Sequence, residues 1–136
     1  MEVKVVLDKG AFMPEKAYNV DAGFDIRTPI DFEVFDDYTV DTGVHIEIPE
    51  GYVGFLKSKS GLNVNRGILT EGVIDCGYTG SIRVKLYNNS YQPQDFKKGD
   101  KITQLVILPI PEVELKQVEK LAETERGDDG FGSTGK

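Results

Sequence analysis

Residues 125–135 read ERGDDGFGSTG, a glycine-rich, hydroxyl-bearing segment with one arginine and one phenylalanine. Small residues let backbone N–H groups approach phosphate oxygens, Arg126 can fork onto two such oxygens, and Phe131 can lie flat on an aromatic ring. That composition suits a lid over a nucleotide better than a core. Four further islands place glycine or polar residues where packing would not. In DAGFDI, residues 21–26, Asp21 and Asp25 flank Gly23. Lys59-Ser60-Gly61-Leu62 sets a cation and a hydroxyl at an expected loop-to-helix junction, which fits a phosphate cradle with Ser60 as N-cap. GVIDCGYTG, residues 72–80, reads as a hairpin whose Asp75, just past an apolar strand, is placed for acid–base work. GDKITQL, residues 99–105, carries Gln104 inside an apolar strand. A buried amide needs a partner, so Gln104 is expected to reach another chain, a backbone group or a ligand. Taken singly, each island also reads as an ordinary turn or helix cap, and the arm as a flexible tail.

These groups must be held by β-structure. Runs rich in Val, Ile, Leu, Phe and Tyr at residues 3–7, 38–48, 52–57, 82–87, 102–108 and 113–118 recur between Gly, Pro, Asn and Asp clusters. Such spacing is that of an all-β sandwich or jelly roll. Alternation is clearest in Ile82-Arg83-Val84-Lys85-Leu86 and from Val44 to Ile48, which predicts one buried and one solvated face. Residues 114–125 also fit helical spacing through Leu115, Val118, Leu121 and Ala122, but Val113, Leu115 and nearby prolines favour a strand. One short helix is expected over residues 62–66, closed by Gly67.

At 136 residues the chain forms one domain. A formal net charge of −7 repels duplex nucleic acid and anionic membranes, so neither is an expected partner. A small anionic substrate stays compatible with that field where a closed site gathers local donors and a metal ion. Cys76 is the one cysteine and His45 the one histidine, so no intrachain disulfide and no Cys/His or Ser/His pair is expected. His45 is read as an exposed strand residue. No run approaches the ~20 apolar residues that span a bilayer, and a cytoplasmic protein is expected.

In order and spacing, the motifs DAGFDI, KSGL, GVIDCGYTG, GDKITQLVI and RGDDGFGSTG resemble the five motifs of the homotrimeric dUTPase family. The resemblance runs from Pro14 to Gly135 and includes Thr42-Gly43 and Pro49-Glu50-Gly51. It implies a jelly-roll domain over residues 1–124 with a mobile closing arm at 125–136, a homotrimer with shared sites, Mg²⁺ as cofactor, and hydrolysis of dUTP to dUMP and pyrophosphate by water attack at the α-phosphorus. By the same resemblance Asp75 is the general base, and Asp25 orients waters on Mg²⁺ held mainly by the triphosphate. Lys59, Ser60, Gly61 and Gln104 contact phosphates, supported by Asp100, while Arg126, Gly132, Ser133 and Thr134 close over the β and γ groups. Backbone groups of the hairpin at Gly72, Val73, Ile74 and Gly80 would read uracil, Tyr78 would lie beneath the deoxyribose and exclude a 2′-hydroxyl, and Phe131 would stack on the base.

Three positions depart from the family pattern. Lys59 stands where Arg is usual and cannot make a planar bidentate contact. Cys76-Gly77 loosen the hairpin turn, and Asp128-Asp129 add negative charge beside a triphosphate. Two alternative readings are a dCTP deaminase of the same fold and a dUTPase-like module that binds a regulatory protein.

Overall fold

The computed structural model describes residues 1–135. Ten strands and one helix follow one another as β1 (Val5–Leu7), β2 (Gly23–Arg27), β3 (Phe32–Val34), β4 (Asp37–Asp41), β5 (Val44–Ile46), β6 (Tyr52–Lys57), α1 (Ser60–Arg66), β7 (Ile68–Ile74), β8 (Arg83–Asn88), β9 (Gln94–Phe96) and β10 (Lys101–Pro109). The main sheet has six antiparallel strands in the order β2-β10-β6-β7-β8-β4, and the pairs β1-β5 and β3-β9 complete the β-rich body. The all-β jelly-roll expectation with one short helix is met.

Alternation does the sorting. In β8, Val84 and Leu86 are buried while Arg83, Lys85 and Tyr87 face out, and in β4 Val40 alone is buried. These side chains join Ile26, Val44, Leu56, Ile68, Ile102, Leu105 and Phe96 in one core. Burial of each such side chain is worth about 1.5–3 kcal/mol, which sets the register because a one-residue slip would turn each strand's apolar set to water.

Three expectations of the sequence are corrected. The run at residues 38–48 is two strands, because Thr42 is buried with its hydroxyl donating to the Ile82 carbonyl at 2.7 Å and Gly43 adopts φ 69°, which breaks the ladder. Residues 113–118 form neither strand nor helix: Val113, Leu115 and Val118 are exposed, and no strand among the described residues pairs with them. The N-cap of α1 is Lys59, not Ser60, and no side chain caps it. The helix is closed as expected by Gly67 in the left-handed region, whose N–H donates to Asn63 and Leu62 carbonyls. Its last residue, Arg66, is pinned by its guanidinium, which lies 4.6 Å from the Phe96 ring centroid and donates to Gln94 Oε1 at 2.9 Å.

Candidate functional site

The central placement of β10 creates the first half of the site. Register puts Gln104 opposite Asp25 on one side and opposite Lys57 on the other, so all three project from one face. Asp25 is buried at 7% exposure, and its carboxylate accepts from the Lys59 ammonium on one oxygen and from Lys101 Nζ at 3.0 Å on the other. Burial pushes the Asp25 carboxyl up, but the hydrogen bonds and charges of Lys59 and Lys101 outweigh it and hold the group below its usual range. Two cations around one anion leave a local positive excess on a chain of net charge −7. Gln104 finds the backbone partner its position required, with Nε2 donating to the Ser58 carbonyl at 3.0 Å. Its amide fills the space beside Gly23, where a Cβ would stand 2.4 Å from Gln104 Oε1. The glycine of DAGFDI is therefore dictated by close approach.

Ser60 and Gly61 follow Lys59 at the start of α1, both exposed. Asp100 does not reach this cluster. Its carboxylate accepts from the Lys97 N–H at 2.8 Å, and its carbonyl from Thr28 N–H at 2.9 Å, while Arg27 holds the Gly99 carbonyl at 2.7 Å. Asp100 thus fixes the turn that delivers Lys101. Lys101 is the residue that sequence reasoning missed here, and its cationic place one step from Asp100 at the start of an apolar strand was the available signal.

The second half is the turn after β7. Gly72 packs over Leu56, where a Cβ would lie 3.1 Å from its Cδ1, and Ile74 is buried while Val73 is exposed. Beyond them a cavity of about 240 Å³ is lined by Val73, Ile74, Asp75, Tyr78 and Arg83. Asp75 is exposed there, and its side chain makes no hydrogen bond or ion pair with the described residues. Tyr78 folds back over Gly80, donating its hydroxyl to the Ser81 carbonyl at 2.8 Å, and a Cβ on Gly80 would come within 2.6 Å of that hydroxyl. Arg83 is a further residue of this cavity that sequence reading took for the solvated side of an alternating strand. Cys76 is exposed in the turn.

The chain does not bring its C-terminal segment to either half. Arg126 Nε donates to the Asp129 carbonyl, Ser133 N–H to Gly130 and Gly127 N–H to the Thr124 hydroxyl, so these hydrogen bonds stay within the segment. Phe131 is fully exposed with φ 49°, and Gly132, Ser133 and Thr134 lie in exposed turns. The cavity at Asp75 likewise includes none of Asp25, Lys59, Gln104 or Lys101.

An antiparallel β body with a cationic cradle beside β2 and β10 and a carboxylate-bearing pocket at the β7–β8 connection fits a class: a nucleotide-handling jelly-roll protein. Comparison with known proteins narrows that class. The dUTPase family model matches residues 9–135. The deoxyuridine 5'-triphosphate nucleotidohydrolase of Cutibacterium acnes is 41% identical over 129 residues, covering 90% of this chain and 85% of that protein. The enzyme of the same name from Corynebacterium glutamicum is 39% identical, covering 98% and 95%. Among solved structures, the Staphylococcus bacteriophage 80alpha dUTPase with dUpNHpp superposes with a TM-score of 0.87 at 34% identity, covering 98% of each chain. A dUTPase from phage phi11 of S. aureus, described with a coordinated structural Mg(II) ion, gives 0.83 at 31% identity, covering 90% of this chain and 100% of that one. The chain belongs to the dUTPase family.

Proposed function

We propose that this protein hydrolyses dUTP to dUMP and pyrophosphate, as a homotrimer in which each site combines groups from neighbouring chains. The reading rests on family membership, and the observation that carries it is the separation of roles on one sheet. A cradle with excess positive charge suits the phosphates. An exposed, unengaged carboxylate at the rim of a small cavity suits the proton transfer.

In this reading Asp75 takes a proton from the water that attacks the α-phosphorus, its exposed carboxylate standing at the cavity within reach of a bound water. The hairpin backbone from Gly72 to Gly80 presents fixed donors and acceptors to uracil, and the Tyr78 ring, locked over Gly80, forms the wall beneath the sugar. Lys59 and Lys101, with Gln104, Ser60 and Gly61, offset triphosphate charge, and Asp25 keeps both ammonium groups aimed at one place. The tail acts in trans: Arg126, Gly132, Ser133 and Thr134 close over the outer phosphates and Phe131 over the base. Among the described residues its hydrogen bonds stay within the segment, which leaves its side chains available to a neighbour's site.

The donor set suits Mg²⁺ carried by the substrate. Among the described residues no three acidic, histidine or cysteine side chains converge. Asp25, with both oxygens already taken by ammonium groups, suits a contact through water to an ion carried by the triphosphate. The ion would supply charge neutralisation on the phosphate oxygens.

Pyrophosphate release from dUTP, dCTP, dTTP and UTP tests the proposal. Turnover of dUTP far above the other three is expected. Ammonia from dCTP would instead identify a deaminase, and no turnover of any of them would reject a hydrolase.

A further inference from the structure

His45 lies on β5 opposite Val6 of β1, and its ring bridges two distant parts of the chain. Nδ1 stands 2.8 Å from the carbonyl oxygen of Thr79, inside the hairpin turn that carries Asp75, Tyr78 and Gly80. Nε2 stands 3.1 Å from both oxygens of Asp8, just past the end of β1. A carbonyl oxygen can only accept, and so can an ionised carboxylate. Both ring nitrogens must therefore donate, which only the imidazolium does, because a neutral ring has one N–H and one lone pair. The geometry is built for the protonated form.

The turn is otherwise held from one side only. Ser81 Oγ donates to the Asp41 carboxylate and accepts from the Gly43 N–H at 3.0 Å, and Thr42 and Val44 pair with Ile82. Thr79, two residues nearer the tip, is tied down by His45. We propose that His45, as imidazolium, is a positioning residue that clamps the nucleoside-reading hairpin through the Thr79 carbonyl, with Asp8 as its counter-ion, so that nucleotide affinity depends on its proton. The proposal rests on the reading of that hairpin as the nucleoside site.

The charged groups around the ring favour the clamp. Lys4 and Asp8, which flank β1, and Glu47, just after β5, line the same hollow as the ring, and Asp41 at the end of β4 stands opposite Arg83 of β8. Lys4 is engaged by Glu47 at 3.7 Å, and Asp41 is held ionised by Ser81 and the Gly43 N–H. The Thr79 carbonyl first, then Asp8, raise the His45 pKa above its ordinary value, against a small opposing effect of burial. A group raised on folding gives its stabilisation in full below the ordinary histidine range of about 6.5 and loses it as pH climbs through the raised value. The clamp is therefore closed below the raised value and opens as pH climbs through it.

The chain has one histidine, so its ring resonance in a proton NMR titration reports His45 without assignment. The experiment follows that resonance and dUMP affinity in parallel from about pH 5 to 9, in the wild type, Asp8→Asn and His45→Gln. The wild-type ring is expected to titrate above about 6.5, and dUMP affinity to fall roughly three- to tenfold through the same midpoint, the loss of one charged hydrogen bond. Asp8→Asn should move both midpoints down together, and His45→Gln should remove that transition. The phosphate of dUMP titrates identically with all three proteins, so only differences between them count. A ring that titrates at or below the ordinary value overturns the proposal, and so does an Asp8→Asn protein whose ring midpoint moves while its dUMP curve stays put. Failure of every protein to bind dUMP at any pH overturns the nucleotide reading, and the clamp with it.

Discussion

Asp25 and Gln104 stand directly opposite each other across the β2–β10 ladder, so a buried carboxylate and a half-buried amide share one face of the sheet. Each is satisfied by different groups: the carboxylate by Lys59 of the β6–α1 loop and Lys101 of β10, the amide by the Ser58 carbonyl of the same loop. The loop between β6 and α1 is thereby pinned to β10 through Gln104 and to β2 through Asp25.

Replacing Asp25 by Asn leaves two ammonium groups facing each other with no counter-charge. Removing one partner of a fully buried pair costs 3–5 kcal/mol, and because both lysines here are partly solvated, about 1–2 kcal/mol is expected, read from urea unfolding at neutral pH. The sign with pH follows from the depressed Asp25 carboxyl. Its stabilisation is complete above the unfolded carboxylate value of about 3.9 and is lost as pH falls through the lower folded value, so the gap between wild type and Asp25→Asn should close in acid. A gap that stays constant down to the acid transition would mean that the ion pairs contribute nothing.

Asp75→Asn should lower kcat by roughly 10²–10⁴-fold while dUTP still binds, because an amide has the same shape but cannot take the proton. Asp75 is exposed, so the melting temperature should hardly move. Steady-state kinetics beside calorimetric binding separate the two effects. Near-normal kcat would remove Asp75 from the role of base.

Gly80→Ala addresses the Tyr78 wall without touching the ring. The new methyl would meet the Tyr78 hydroxyl end at 2.6–2.9 Å and push the side chain off its perch over the turn. The ratio of kcat/KM for dUTP over UTP should drop, and should drop likewise for Tyr78→Ala, with little change in stability. Should Gly80→Ala discriminate as the wild type does, ribose is rejected elsewhere.

Gel filtration should give a trimer, and a chain ending at Glu125 should fold with normal stability yet lose most of its kcat. Mixed with Asp75→Asn chains under conditions of subunit exchange, it should regain activity, since some sites then receive an intact base and an intact arm from different chains. No recovery despite proven exchange would place base and arm on the same chain.

Much of this was written locally. Alternating segments such as residues 82–86 became half-buried strands because burial fixes one face, Gly67 ended the helix because only a left-handed residue can receive that turn, and the motif islands fell on turns because their glycines and carboxylates do not pack. The need of Gln104 for a partner was also legible, since a buried amide is costly unpaired. What only the tertiary structure decided is who the partners are. Placing β10 between β2 and β6 joins residues more than thirty positions apart, and no local pattern states that Lys101 and Lys59 meet on Asp25. His45 looked like one more exposed strand residue because its two acceptors come from an N-terminal segment and a distant turn. The apolar residues of 113–118 promised a strand, yet none forms within the chain, because a strand needs a neighbour to pair its backbone and a face to bury, and those are properties of the assembled fold rather than of the segment.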